Sequence, residues 1–144
     1  MKDKFVNLYI DWAHRVAELS HARRLQVGAV IVKDDSVISY GYNGMPAGWD
    51  NDCENTIGYH HGEPVYKTKP EVLHAESNAI AKLAKSSNSG SGSTIFVTHS
   101  PCLECAKLIH QSGIGCVYYG ENYRDDAGIK FLKQSGITVT KIDK

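Results

Sequence analysis

The chain has 144 residues with 16 basic and 16 acidic side chains, hence zero formal charge, and it is 42% hydrophobic and 22% charged. That balance describes one ordinary domain, 1–144, with enough apolar material for a core; it argues against overall disorder and against a broad basic surface for nucleic acid, while leaving room for a local pocket that takes one phosphate. No run approaches the roughly 18 apolar residues of a membrane span, and a start carrying Lys2, Asp3 and Lys4 lacks the apolar core of a signal peptide, so neither a membrane nor nucleic acid is expected as partner.

In chain order, Phe5, Leu8, Ile10, Trp12, Val16 and Leu19 predict one apolar helical face over residues 3–19. Val27 to Val32 is a dense β-branched run; Lys33-Asp34-Asp35-Ser36 then reads as a tight turn into a second strand, 37–42, which makes an antiparallel hairpin. Residues 43–72 mix Gly, Pro, Asn and Asp without a sustained period and are expected as a long functional loop. A helix over 75–85 follows, then an exposed, flexible Ser/Gly connection at 86–93. Strand 94–99, helix 102–112, strand 115–119, helix 126–135 and strand 137–142 complete the chain. Strands that alternate with helices predict parallel pairing in this half. The expected architecture is α/β, a mixed five-stranded sheet with helices on both faces.

Two segments carry the chemistry. His74-Ala75-Glu76 supplies an imidazole and a carboxylate, and Pro101-Cys102-Leu103-Glu104-Cys105 supplies two thiols at i and i+3. A catalytic zinc takes three protein ligands and keeps the fourth position open, and His74, Cys102 and Cys105 make three. With Pro101 at a helix start, both sulfurs fall on one face, about 60° apart around the axis. Two thiolates and a neutral imidazole cancel the charge of Zn²⁺, which leaves the metal able to polarise water. Glu76 is then a proton carrier and not a ligand. It stands about 200° from His74 on an ideal helix, so the pair is expected in an irregular first turn. The alternative is a closed structural site with a fourth ligand from Cys53, His60 or His61. A single C-x-x-C pair argues against it, and a redox role for the pair would leave His74 and Glu76 unexplained. With two cysteines assigned to metal and Cys116 expected as a buried thiol, the chain reads as intracellular, in the reducing cytoplasm.

H-x-E followed by P-C-x-x-C is the pattern of zinc-dependent nucleobase deaminases. Further stretches narrow it: Gln26-Val27-Gly28-Ala29-Val30-Ile31-Val32, Gly41-Tyr42-Asn43-Gly44-Met45-Pro46-Ala47-Gly48, His74 to Ile80 and Pro101 to Lys107. With Tyr118 to Gly136 these closely resemble the deoxycytidylate (dCMP) deaminase family over nearly the whole chain. The resemblance implies a three-layer α/β/α cytidine-deaminase-like fold and zinc-dependent hydrolysis of dCMP to dUMP for thymidylate synthesis. It also implies a homohexamer, activation by dCTP and inhibition by dTTP, usually with Mg²⁺. On the same basis Asn43 is expected at the sugar 3′-hydroxyl. Tyr123, Arg124 and Arg24, with Arg23 as a further candidate, are expected at the phosphate, and Val27, Ile31 and Tyr123 along the base. Gly44, Asp50, Asn51 and Glu54 are expected at the regulatory nucleotide. Some relatives carry a second zinc in the 43–72 region; Cys53, His60 and His61 fall there without the full ligand pattern. The competing readings are a deaminase of another cytosine nucleotide or nucleoside, or of tRNA adenosine, and a catalytically silent nucleotide-sensing subunit.

Overall fold

A β-branched run without polar alternation suits a strand covered on both faces, and the computed structural model, which describes residues 1–143, buries Val30, Ile31 and Val32 in that way. The last position of the expected 1–144 unit lies outside the described residues. The elements are α1 (Asp3–Ala17), β1 (Gly28–Lys33), β2 (Ser36–Tyr42), β3 (Glu54–His60), β4 (Glu63–Thr68), α2 (Ala75–Ala84), β5 (Thr94–His99), α3 (Leu103–Gln111), β6 (Cys116–Glu121), α4 (Ala127–Gln134) and β7 (Thr138–Lys141). Five strands form one mixed sheet in the order β2-β1-β5-β6-β7. β1 is antiparallel to both β2 and β5, whereas β5, β6 and β7 run parallel. Asp34 and Asp35 both take positive φ (51° and 59°), the backbone of a tight two-residue hairpin turn.

The alternation of side chains along β1 divides the core in two. Val30 and Val32 join Phe96 and the inner face of α1, while Ala29 and Ile31 join Ile95, Val97 and the apolar faces of α2, α3 and α4. The sheet is therefore covered on both sides. Gly41 marks how closely α2 lies on it: a Cβ there would stand 2.4 Å from the carbonyl oxygen of Ala75.

Two expectations are corrected. The buried face of α1 is Val6, Tyr9, Ile10, Ala13 and Val16, and the large residues Leu8, Trp12 and Leu19 point outward. Residues 43–72 are not a structureless loop, because β3 and β4 pair antiparallel as a separate two-stranded hairpin. Its turn uses His61 (φ 49°) and Gly62 (φ 79°), and most of its side chains are exposed, so no apolar alternation marks it. The 86–93 connection is exposed at six of its eight positions, as expected, and is anchored at the other two. Gly90 and Ser93 are buried, and the Ser93 hydroxyl donates to the Gly90 carbonyl at 2.6 Å. Among the described residues no helix is long and apolar enough to cross a membrane.

Candidate active site

Parallel strands deliver their ends to one edge of the sheet, and ligand sites in open α/β sheets gather there. β5 leads through His99, Ser100 and Pro101 into Cys102, and β6 leads into Tyr123 and Arg124. Cys102 is the N-cap of α3 in extended backbone (φ −71°, ψ 170°), and His74 is the N-cap of α2 in the same conformation (φ −81°, ψ 155°). This resolves the spacing problem: His74 lies outside the helix that carries Glu76. Gly128 of α4 allows the metal motif to sit close, since a Cβ there would meet the Pro101 carbonyl oxygen at 2.1 Å.

His74 Nδ1 stands 3.6 Å from Cys102 Sγ and 3.3 Å from Cys105 Sγ, and the three donor atoms lie within 4.8 Å of one another. Tetrahedral zinc with ordinary Zn–N and Zn–S bonds requires N···S separations of about 3.6 Å, so this donor set fits zinc. No other group of three or more potential ligands is drawn together among the described residues. Cys53 is buried with its thiol 3.5 Å from the Asn51 carbonyl, and His60 and His61 pack ring to ring at the exposed hairpin turn. A fourth protein ligand from that trio is thus not assembled.

The electrostatics suit metal binding. The Cys102 thiol is pulled down to about 4, chiefly by a hydrogen bond from Cys105 and then by one from His74. The Cys105 thiol is held up by donating to Cys102 and by burial. His74 is raised by its contact with Cys102. Without metal the trio shares protons around one thiolate, and both thiols deprotonate when a cation binds. Glu76 is 4% exposed, and burial pushes its carboxyl up to about 7.

These groups open into a cavity of about 780 Å³ whose wall includes His74, Glu76 and Cys102, with Asn43, Val27, Arg24, Tyr123 and Arg124. Asn43 Oδ1 accepts the Val27 N–H at 2.9 Å, and its Nδ2 donates to the Leu25 carbonyl at 2.8 Å. Tyr123 is anchored by donating its N–H to Ser100 Oγ at 2.6 Å. Ile31 does not belong to this wall, because it is fully buried among α2, α3 and the sheet. Gly44, Asp50 and Asn51 lie apart from the cavity lining. Gly44 forms a bridge with Leu73, and Asp50 accepts the Asp52 N–H at 2.8 Å. Glu54 departs from the grouping expected for it. It is buried against the cavity, where Oε2 accepts the backbone N–H groups of Arg23 and Arg24.

The sequence reading missed several lining residues. His99 and Glu121 stand 3.7 Å apart at the ends of β5 and β6, and Thr68, Lys67 and Tyr66 come from β4. His99 Nδ1 faces Thr98 Oγ1 at 2.9 Å, and burial lowers its pKa. Thr98 Oγ1 also accepts the Gly28 N–H at 3.2 Å, which ties the end of β5 to the start of β1. The only early signal for the β4 residues was the two-residue His61-Gly62 turn.

Residues 3–121 match the family model for the cytidine and deoxycytidylate deaminase zinc-binding region. The chain is 36% identical to ComE operon protein 2 of Bacillus subtilis, over 91% of this chain and 67% of that protein. It is 34% identical to the deoxycytidylate deaminase of Enterobacteria phage T4, over 92% of this chain and 86% of the phage enzyme. The crystal structure of the cyanophage S-TIM5 dCMP deaminase, in complex with dCMP and dUMP, superposes with a TM-score of 0.87 at 42% identity and covers 99% of each chain. Fold, donor set and sequence agree: the chain belongs to the cytidine and deoxycytidylate deaminase family.

Proposed function

We propose that this chain is a zinc-dependent hydrolase that converts dCMP and water to dUMP and ammonia. One observation carries the reading: a His/Cys/Cys set at zinc spacing, a buried carboxylate beside it and three cavity-lining groups suited to phosphate, Arg24, Tyr123 and Arg124, share one cavity. The similarity to deoxycytidylate deaminases, including one seen with dCMP and dUMP, supports the substrate.

His74, Cys102 and Cys105 hold the metal, and zinc bound there supplies a Lewis acid that activates water for attack on the amidine carbon of the base. Glu76 handles the protons. Its carboxylate takes one from the attacking water, delivers a proton to the ring nitrogen and then serves the leaving amine. A carboxyl raised toward neutrality by burial works in both directions. Val27 lines the base side of the cavity. Asn43 spends one lone pair and one N–H on the backbone of residues 25–27, and the remaining pair and N–H meet the sugar 3′-hydroxyl. Arg24, Arg124 and the Tyr123 phenol receive the phosphate.

The proposal extends to regulation. dCTP activates and dTTP inhibits, with Mg²⁺ accompanying the triphosphate, on a homohexamer. Support for this is the resemblance of the Gly-Tyr-Asn-Gly-Met-Pro stretch and the exposure of Asp50 and Asn51 beyond it. A reducing cytoplasm suits thiols that must remain unoxidised to bind metal. The test is ammonia release from dCMP, deoxycytidine, CMP and dCTP, each with and without dCTP or dTTP as effector. Preference for dCMP, raised by dCTP and lowered by dTTP, is the expected result. Zinc-loaded protein that binds dCTP and leaves dCMP intact would overturn the enzymatic reading.

A further inference from the structure

Arg24 is held from two sides by one cross-strand pair of the hairpin. In the β3–β4 ladder Glu54 lies opposite Thr68. Glu54 Oε2 accepts the Arg23 N–H at 3.0 Å and the Arg24 N–H at 3.2 Å, across some thirty residues of sequence. Thr68 Oγ1 accepts from Arg24 Nη1 at 3.1 Å. All three side chains border the cavity. Arg24 is otherwise exposed, with a long and flexible side chain that would sample many rotamers unless tied.

Glu54 is a costly residue to keep for packing alone. It is 3% exposed, and its Oε1 is buried without a hydrogen-bond partner, 3.5 Å from the Arg23 guanidinium. An apolar side chain would fill that space without an unmet acceptor. What the side-chain oxygen provides, and an apolar residue cannot, is an acceptor able to take two successive backbone N–H groups. Thr68 in turn uses a single guanidinium N–H and leaves the rest of the fork for an anion.

We infer that the Glu54–Thr68 pair is a positioning unit for Arg24, fixing its backbone through Glu54 and its guanidinium through Thr68 so that a nucleotide phosphate meets a donor already aimed. This rests on the proposed role of Arg24 at the phosphate. Asp52, two residues before Glu54, holds the neighbouring Arg23 guanidinium at 2.7 Å.

The experiment measures competition by dUMP and by deoxyuridine against dCMP turnover in the zinc-loaded full chain, so that phosphate discrimination is read as the ratio of the two inhibition constants. Thr68→Val should weaken dUMP about fivefold to tenfold and leave deoxyuridine and kcat within about twofold, as expected for one charge-assisted hydrogen bond at an open site. Thr68→Ser should restore the parent ratio. Glu54→Ala should weaken dUMP further, and Glu54→Gln, whose amide oxygen accepts the same two N–H groups, should recover most of the loss. If the Glu54 variants do not fold, the Thr68 pair decides alone. Arg24→Ala separates the two claims. Unchanged discrimination in that variant would refute the role of Arg24 itself. Collapsed discrimination with an unaffected Thr68→Val would refute the positioning unit. In the Arg24→Ala background Thr68→Val should add nothing, and an additive further loss would show that Thr68 acts without Arg24.

Discussion

Gly128→Ala tests whether α4 holds the metal motif in place. The new Cβ would lie 2.1 Å from the Pro101 carbonyl oxygen and 2.9 Å from both the carbonyl carbon and the oxygen of Cys102, all backbone atoms. Relief requires α4 and the Pro101–Cys102 segment to separate by about 1.3 Å to bring that approach to ordinary contact. Overpacking of this kind costs about 1–3 kcal/mol of stability. The larger effect falls on the metal, because ligand distances must hold within about 0.2 Å. A Cys102 carried along with its backbone should weaken zinc by about 10- to 100-fold, the usual scale for disturbing groups that orient ligands. Urea unfolding and zinc competition with a chelator read the two effects separately, and Lys130→Ala on the exposed face of the same helix serves as control. Zinc affinity within twofold of the parent, together with an unchanged unfolding midpoint, would refute the packing argument.

Burial of Glu76 gives a pH signature in the metal-free protein. Folding raises its carboxyl from an ordinary 4.5 to about 7, so the folded state holds a proton that the unfolded state has released between those values. Stability is fully retained below 4.5, falls as pH rises through that window, and is then flat. Relative to Glu76→Gln, the parent should lose up to about 3 kcal/mol across it; a stability difference that stays constant with pH would contradict the buried carboxyl. Arg124→Ala should reduce kcat/KM for dCMP about 10- to 100-fold and for deoxycytidine within about threefold, measured by ammonia release. Equal losses would mean that it does not read phosphate. Chelation should abolish turnover and lower the thermal midpoint, with zinc restoring both, because the cluster then keeps only its shared protons.

The metal site was legible because its chemistry resides in residue identity. His, Cys and Cys at those intervals have few other uses, although Cys102 is the extended N-cap of α3 and not its first helical residue as expected from Pro101. The sheet was legible from the β-branched runs and the turn at Asp34 and Asp35. The phase of α1 was partly misread because Leu8, Trp12 and Leu19 are large yet exposed, whereas Val6, Tyr9 and Ala13 join the expected Ile10 and Val16 on the buried face. The β3–β4 hairpin escaped notice because its strands turn side chains such as Ile57 and Tyr59 to solvent, which leaves no period to detect. Glu54 could not have been placed from sequence. Its partners are backbone N–H groups on a segment some thirty residues earlier, and they carry no side-chain signal.

The most direct test of the account compares zinc content and ammonia release from dCMP in the parent and in Glu76→Ala. The substitution removes the proposed proton carrier and none of the three donor atoms. The parent should hold about one zinc per chain and release ammonia with stoichiometric dUMP; the variant should hold the same zinc and release none above background. Turnover in the variant at the parent rate, or a parent that keeps its zinc and leaves dCMP unchanged, would contradict the account.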